Sequence, residues 1–390
     1  MLKGLGQLAS ALASYDRGLA IQPESAAAHS NRGALLTELH EWNVALASCD
    51  LAIAIAPGYA DAHFNRSLCL LLTGDWLRGW AGFEWRLQSS QAKKAGETPR
   101  AFAAKRWDGQ EPLAGKAILL HGEQGLGDTI QFVRYAKLVA DLGTKVVLEV
   151  QPPLIGLLSG LDGISHLAAQ GDSLPPYDLH CPLMSLPFAF GTTPATVPAL
   201  IPYLKAPSKK VDEWSNRLGE KTKPRVGIVW SGGFRPNHPE QWLVNGRRNI
   251  PLRMLTAWRH PGVEFYSLQK GEPAESELAQ CIASHWDGPG VHDVASHLKD
   301  FTDTAALIEN LDLTVTVDTS VAHLAAALGK PVWMLNRFDS CWRWLLDRSD
   351  SPWYPTMRLY RQEGPGDWEG VVKRVKTDLD TLADSQPRQP

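Results

Sequence analysis

Two stretches of the sequence combine residue types that could take part in group transfer. The first, HGEQGLGDTIQF, follows the apolar run AILL and leads into a helix-like pattern. Gly125 and Gly127 allow a tight turn, and Asp128 then falls near the start of the helix. Because the helix dipole favours a charged carboxylate there, Asp128 could accept a proton from a substrate or simply cap the helix. A phosphate loop is the further possibility, although Asp128 would place a negative charge where the phosphate should rest.

The second stretch, LDLTVTVDTSVAHLAAALGKPVWML, places a buried strand before a slim, alanine-rich helix. Asp318 ends the strand, and Thr319 and Ser320 stand at the helix start, where the first backbone amides have no partner within the helix. Amides and hydroxyls at such an end suit a diphosphate, and His323 could donate to its oxygens or to a ribose. The alternative is an ordinary capped strand-to-helix turn with a buried histidine.

Other kinds of catalytic site are not indicated. The 12 histidines form no HExxH or paired metal-ligand spacing, and no GxSxG nucleophile motif occurs. The only DxD pair, Asp378 and Asp380, lies in an amphipathic stretch where charged side chains are normally solvated. The five cysteines are widely spaced, which favours free thiols in a reducing compartment over disulfides or a zinc site. We therefore expect no bound metal or other cofactor.

The order of apolar and amphipathic segments indicates which elements hold the two stretches. From residue 116 onward, strand-like runs such as KVVLEV, RVGIVW and LDLTVTV alternate with stretches of helix length. This alternation predicts parallel sheets in α/β units. A proline-dense stretch around TTPATVPALIPYL marks the expected boundary between residues 116–222 and residues 223–390, which end in a helix. Because ligands gather at the carboxyl ends of parallel strands, both stretches should face one cleft.

Residues 1–87 carry an internal repeat. A shift of 34 places aligns ALAS at 11–14 with ALAS at 45–48, and it aligns Pro23 with Pro57. A 34-residue period with a proline after the second helix is typical of tetratricopeptide repeats, which are stacked pairs of antiparallel helices. The first repeat is incomplete, and the aromatic residues of WLRGWAGFEWRL should seal the array. Residues 88–115 are predicted to form a linker.

Length, charge and hydropathy exclude several classes of protein. At 390 residues the chain is long enough for two or three domains. Its net charge of −3 provides no electrostatic surplus for a nucleic-acid backbone. No run of 18 apolar residues predicts a membrane span, and the N-terminus lacks a signal-peptide pattern. We therefore predict a cytoplasmic protein with no nucleic-acid partner and no integral membrane segment.

The two stretches, together with VGIVWSGG and RRNIPL, resemble the heptosyltransferase-like glycosyltransferases, a family that includes members fused to tetratricopeptide repeats. The resemblance covers roughly residues 116–365, and DTSVAHLAAALGKPV is its most specific part. It implies a GT-B fold, in which two Rossmann-like halves face each other across a cleft. It also implies an inverting, metal-independent transfer of a sugar from a nucleotide donor.

The resemblance implies roles for individual residues. It places the catalytic aspartate at Asp128, beside the acceptor-side glycines Gly125 and Gly127, and the family's basic residue shortly before a proline at Arg248. That residue is often a lysine in heptosyltransferases, and the two side chains bind phosphate differently. The nucleotide-diphosphate pocket falls on Asp318, Thr319, Ser320 and His323, and the strand-end rule adds Trp230, Ser231, Gly232, Gln269 and Lys270 to the donor side.

These inferences together predict a glycosyltransferase whose tetratricopeptide region recruits the acceptor, which could be a protein. Its expected partners are a nucleotide-sugar donor and a protein or peptide. Two alternatives remain open. One is a non-catalytic tetratricopeptide adaptor with a degenerate transferase fold, and the other is a heptosyltransferase that acts on a carbohydrate acceptor.

Overall fold

The computed structural model describes residues 7–90, 100–233, 245–284 and 290–384. The chain divides into two compact units. The first comprises Met1–Glu111, Ser185–Val197 and Asp339–Arg348, and the second comprises Pro112–Met184, Pro198–Phe338 and Ser349–Pro390. Residues 1–6, on which the prediction of an incomplete first repeat depends, lie outside the described residues, as do residues 91–99 of the predicted linker.

The elements named below are numbered in chain order. The helices are α1 (Leu8–Ile21), α2 (Ala26–Glu38), α3 (Trp42–Ile55), α4 (Ala60–Leu72), α5 (Trp76–Phe83), α6 (Leu126–Phe132), α7 (Tyr135–Ala140), α8 (Ile155–Leu158), α9 (Leu186–Ala189), α10 (Ser208–Leu218), α11 (Leu252–Leu255), α12 (Ala274–Ser284), α13 (Phe301–Glu309), α14 (Ser320–Ala327) and α15 (Trp368–Asp384). The strands are β1 (Lys105–Arg106), β2 (Ala117–His121), β3 (Lys145–Val150), β4 (Ile164–Ala169), β5 (Leu179–Pro182), β6 (Arg225–Val229), β7 (Glu264–Ser267), β8 (Val291–Asp293), β9 (Leu313–Val317), β10 (Val332–Asn336) and β11 (Met357–Arg361). None of the helices that the structure describes is long and apolar enough to cross a membrane.

The first unit begins with helices α1 to α5, each of which packs against the next along the chain. Two contacts occur twice in them, 34 residues apart. An arginine pairs with an aspartate of the preceding helix, and a histidine ring nitrogen lies within hydrogen-bond distance of a proline carbonyl. The pairs are Arg32–Asp16, Arg66–Asp50, His29–Pro23 and His63–Pro57. The sequence repeat is therefore also a repeat of helical structure, and its assignment as a tetratricopeptide repeat stays a prediction.

Aromatic residues of α5 form a buried cluster in the first unit. Trp76, Trp80 and Phe83 are buried, and the Trp80 ring meets the Trp342 ring edge-on with the centroids 5.1 Å apart. The Trp80 indole N–H donates to the Thr192 carbonyl at 2.9 Å. Because Trp342 and Thr192 belong to the two later segments of this unit, α5 holds those segments against the helices.

The second unit contains two sheets of parallel strands. In the first sheet, four parallel strands lie in the order β5-β2-β3-β4. The second sheet has the order β11-β10-β9-β6-β7-β8, and its strands are likewise parallel. Strands β6 and β9 are buried at every position, as expected for strands with both sheet faces covered. The predicted α/β class with two parallel sheets is confirmed.

Candidate functional site

A cavity of about 260 Å³ lies at the carboxyl-terminal edge of the second sheet. Residues that follow β6, β7 and β9 line it, together with the starts of α13 and α14. Pro153, which lies between β3 and α8, also lines it. This is the edge at which open parallel sheets bind ligands. Its polar lining includes Ser231, Gln269, Lys270, Asp300, Thr319 and Ser320.

The start of α14 makes this cavity suitable for an anion. Thr319 is the N-cap residue of α14 and has an extended backbone, but its side chain caps no backbone N–H group. Its Oγ1 instead lies 3.2 Å from Oγ1 of Thr316. The amides of the first helical turn therefore receive no bond from the N-cap side chain, and together with the helix dipole they favour a negatively charged group. Ser320 adds a hydroxyl at the same place.

The start of α13 has a different character, because Asp300 already caps it. The Asp300 carboxylate accepts hydrogen bonds from the backbone N–H groups of Thr302 and Asp303. Burial alone would raise the pKa of Asp300, but a hydrogen bond from the Thr302 hydroxyl, the two backbone hydrogen bonds and the Lys210 ammonium hold that pKa below its ordinary value. The carboxylate is therefore charged at neutral pH. This carboxylate disfavours a phosphate group at the start of α13, and phosphate binding at the start of α14 stays a prediction.

Polar groups at the ends of β6 and β7 are bonded to one another. The side-chain oxygen of Gln269, a residue only 5% exposed, accepts a hydrogen bond from the Ser231 N–H at 3.1 Å. Lys270 donates to the Ala295 carbonyl at 2.7 Å. The Glu275 carboxylate lies 3.9 Å from the same ammonium. An ammonium group has three donors, so Lys270 can still donate to a ligand as well. The cavity wall formed by these residues is thus set by the ends of two adjacent strands.

Arg248 lies against Gly232 beside the cavity. Its guanidinium donates to the Asp318 carbonyl at 2.9 Å and to the Asn245 side-chain oxygen at 2.6 Å. A Cβ at Gly232 would lie only 2.0 Å from a guanidinium nitrogen, so the close approach requires glycine. Arg248 therefore joins the ends of β6 and β9 and is not among the residues that line the cavity.

Two predicted binding residues have side chains that point into the protein. The Trp230 ring is 1% exposed and donates from its indole N–H to Glu277 at 2.8 Å. Its neighbour Ser231 lines the cavity, and successive side chains of an extended chain point to opposite sides. His323 is 4% exposed, and its Nδ1 lies 2.9 Å from the Tyr354 hydroxyl. Neither ring is among the residues that line the cavity, and the donor-binding roles of Trp230 and His323 stay predictions.

Asp128 lies near the start of α6, as its sequence position predicts. Its Oδ2 accepts a hydrogen bond from the Gly125 N–H at 2.8 Å, so the carboxylate caps its own helix. The side chain is half-buried. A carboxylate offers about four acceptor positions on its two oxygens, so this bond is compatible with accepting a proton. The capping role is observed, and the catalytic role of Asp128 stays a prediction.

The glycine-rich turn lies directly against the start of α14. A Cβ at Gly127 would lie 2.9 Å from Cδ2 of His323 and 3.3 Å from Cα of Ser320. Any side chain at this position would force the two helices apart. The helix that carries Asp128 and the helix whose start borders the cavity therefore meet at their first turns.

Sequence reasoning missed two glutamines that hold this turn. Gln151 follows β3, accepts from the Thr129 hydroxyl at 2.8 Å, and donates to the Gln124 carbonyl at 3.2 Å. Gln170 follows β4 and donates to the Gly122 carbonyl at 3.0 Å. The available signal was a glutamine directly after each of two neighbouring parallel strands, at the edge where sites form.

Within the described ranges, no group of three or more histidines, cysteines or acidic residues could hold a metal ion. The DxD pair lies in α15, as predicted. Asp378 accepts from the Tyr360 hydroxyl at 2.7 Å and lies 2.9 Å from Arg358, and Asp380 pairs with Lys376. Asp378 therefore holds α15 against β11, whereas the pair made by Asp380 lies within α15 itself.

Comparison with known proteins identifies part of the second unit. Residues 263–336, which include β7 to β10, match the family glycosyltransferase family 9 (heptosyltransferase). The chain is 28% identical over 427 residues to Protein FlbA of Caulobacter vibrioides, in an alignment that covers 99% of this chain and 66% of FlbA. It thus spans about two thirds of the length of that relative.

One solved structure shares the fold over part of this chain, and a second is similar at a lower TM-score. The glycosyl transferase family 9 structure from Veillonella parvula is 13% identical, with a TM-score of 0.50 over 71% of this chain and 99% of that one. The ADP-heptose LPS heptosyltransferase II of E. coli is 14% identical, with a TM-score of 0.45 over 68% of this chain and 98% of that one. The family match over residues 263–336 agrees with the predicted resemblance to heptosyltransferase-like glycosyltransferases in that part of the chain.

Proposed function

We propose that this chain moves a sugar from a nucleotide-sugar donor to an acceptor, with inversion at the anomeric carbon and without a metal ion. The observation that carries the proposal is the contact between the first turns of α6 and α14 beside the cavity. It brings the helix with the candidate base, Asp128, against the helix whose start suits a diphosphate.

On the donor side, the diphosphate would lie at the start of α14. The first-turn amides and the Thr319 and Ser320 hydroxyls would donate to its oxygens, and Lys270 would add a positive charge. These groups stabilise the negative charge that develops on the departing nucleoside diphosphate. Arg248 would position the strand ends, since its guanidinium already holds the Asp318 carbonyl.

On the acceptor side, Asp128 would take the proton of the attacking hydroxyl. The hydroxyl oxygen forms a bond to the anomeric carbon as the bond from that carbon to the diphosphate breaks on the opposite face. The electron pair of the broken bond leaves with the diphosphate. One displacement of this kind inverts the configuration at the anomeric carbon.

The helical region would recruit the acceptor. Its 34-residue repeat of contacts agrees with tetratricopeptide repeats, whose stacked helices form surfaces that hold peptides. We therefore favour a protein acceptor over a carbohydrate. A chain that binds a protein partner but neither binds nor cleaves any nucleotide sugar would instead be an adaptor.

Thermal unfolding of the full chain with UDP-, ADP- and GDP-sugars tests the proposed function. A ligand at about 100 times its Kd stabilises the folded state by roughly 2.7 kcal/mol. We expect one nucleotide class to raise the Tm and to be cleaved, with the released sugar showing inverted configuration by NMR. Failure of all three classes to shift the Tm would contradict a donor site.

Chelation should leave the reaction intact. We expect turnover in excess EDTA to equal turnover without it, because the amides of α14 and Lys270 supply the positive charge that a metal would provide. The measurement is the initial rate before and after chelation. A rate that is lost in EDTA and restored by Mn²⁺ or Mg²⁺ would contradict metal independence.

Substitutions on the exposed side of α2 should change acceptor use alone. Ala27 and Asn31 are exposed, so Ala27→Glu and Asn31→Ala should leave the Tm and donor cleavage unchanged while raising the acceptor KM by about tenfold or more, equivalent to about 1.4 kcal/mol. Ala47→Glu, at an exposed position of α3, is the matched control. Equal acceptor KM values in all three variants would exclude α2 as the recruiting surface.

A further inference from the structure

We propose that Arg134 is a positioning residue for the transfer reaction, because its buried guanidinium fixes α6, which carries Asp128, relative to α14. The inference rests on the proposed function. Arg134 belongs to the DTIQFVRYA part of the first motif and is not used in the donor or acceptor chemistry described above.

Arg134 lies between α6 and α7 and is only 5% exposed. Its guanidinium donates to the carbonyls of Gln131, Pro198 and Trp353 at 2.8, 3.3 and 2.6 Å, and to the Tyr203 hydroxyl at 3.0 Å. These acceptors come from α6, from the segment between α9 and α10, and from the segment before β11. One side chain thus bonds to three separate parts of the second unit.

The surroundings of the guanidinium contain aromatic rings and neutral oxygens. Its carbon lies 4.6 Å from the centroid of the Tyr203 ring and 4.5 Å from that of Tyr354. None of its four hydrogen-bond acceptors is a carboxylate. A buried charge is costly unless its donors are satisfied, and cation–π contacts with two rings offset part of that cost. The cation is therefore stable only when all three segments keep this arrangement.

The two tyrosines extend the network to both helices of the site. The Tyr203 hydroxyl donates to the Ile130 carbonyl of α6 at 2.9 Å. The Tyr354 hydroxyl lies 2.9 Å from Nδ1 of His323 in α14, and the His323 ring leaves no room for a Cβ at Gly127 of α6. Burial raises the pKa of Tyr354 well above its ordinary value, so its hydroxyl keeps its proton. The network therefore joins α6, which carries Asp128, to α14, whose first turn borders the cavity.

Tyr203→Phe tests this role with a small change. It removes one hydroxyl, and with it the bonds to Arg134 and Ile130, while the ring stays in place. The matched control is Tyr360→Phe, which removes the buried tyrosine hydroxyl bonded to Asp378 at 2.7 Å in the β11–α15 contact. Arg134→Lys is the companion variant, because it keeps the charge but loses the planar fork.

The measurements are donor Kd by calorimetry, kcat for donor cleavage and Tm, using the nucleotide sugar that stabilises the wild type. We expect Tyr203→Phe and Arg134→Lys to lower kcat by about tenfold or more with donor Kd within about twofold of wild type. Tyr360→Phe should lower the Tm by about as much as Tyr203→Phe does, and it should leave kcat unchanged.

A double variant separates positioning from a general loss of structure. If Tyr203 acts through Asp128, Tyr203→Phe should lower kcat by less than about twofold in an Asp128→Asn background, because coupled residues are not additive. Equal losses of kcat in both backgrounds, unchanged kcat in Tyr203→Phe, or an equal loss in Tyr360→Phe would overturn the inference. A wild type that neither binds nor cleaves a donor would overturn the proposed function and the inference with it. If the wild type does both, the variants test the role of Arg134 separately from the proposed function.

Discussion

Replacement of Asp128 by Asn should lower donor cleavage and transfer by about 100-fold to 10,000-fold, the range typical for loss of a general base. Asparagine keeps the size of the side chain and an oxygen that can accept from the Gly125 N–H, so the cap observed at 2.8 Å is retained. Basicity is lost. Initial rates, donor Kd and Tm on the same preparation test the expectation, with donor Kd unchanged.

Two further variants control for the loss of a carboxylate. Asp128→Ala removes the cap as well as the base, and it should add a stability loss of about 1 kcal/mol to the same rate loss. Asp141→Asn removes an exposed carboxylate that pairs with Lys137 near the end of α7, and it should leave kcat unchanged. Normal turnover in Asp128→Asn, with a small fall in Tm, would show that Asp128 is only a helix cap.

Truncation of Trp80 to Ala should lower the free energy of unfolding by about 3 to 5 kcal/mol, more than any other substitution proposed for this chain. The ring is buried, packs edge-on against Trp76, Phe83 and Trp342, and donates its N–H to the Thr192 carbonyl. Its removal leaves a cavity and an unsatisfied carbonyl, both of which destabilise the first unit. Equilibrium denaturation followed by tryptophan fluorescence measures the loss.

The donor site lies in the second unit, so Trp80→Ala should leave donor Kd within about twofold of wild type at temperatures where the chain is folded. Trp85→Ala is the control, because Trp85 is half-buried and stacks on His63. Trp85→Ala should lower the free energy of unfolding by less than Trp80→Ala does. Equal costs for the two variants would contradict the central position of Trp80 in the aromatic cluster.

Local patterns were sufficient to predict much of the fold. Strands β6 and β9, with the sequences RVGIV and LTVTV, are rich in β-branched residues and are buried along their whole length. The 34-residue period of the sequence appears in the structure as two equivalent arginine–aspartate pairs between helices. This is because residues that recur at a spacing of 34 have equivalent neighbours. Such features depend on residues close together in the chain.

Features that depend on distant residues were not predicted. Segments 185–197 and 339–348 pack with the helical region, and no local pattern indicates that association. The strand-end rule named Ser231, which lines the cavity and whose donor-binding role stays a prediction. It could not assign the direction of Trp230, whose ring occupies the core. The sequence indicated that His323 lies in a helix. Its burial could not be predicted, because it depends on Gly127 and Tyr354, which approach from other elements.

The central claim is that the start of α14 holds the diphosphate of a nucleotide. Calorimetric titration of ADP, UDP and GDP into the wild type and into Ser320→Asp tests it directly. An added carboxylate in the first turn stabilises a helix through its dipole but repels a diphosphate by more than about 1.4 kcal/mol, which is tenfold in Kd. We therefore expect one of the three nucleotides to bind the wild type and to bind Ser320→Asp at least about tenfold more weakly, while the Tm of the variant is unchanged or higher. No binding to the wild type, or equal Kd values in the two proteins, would contradict the claim.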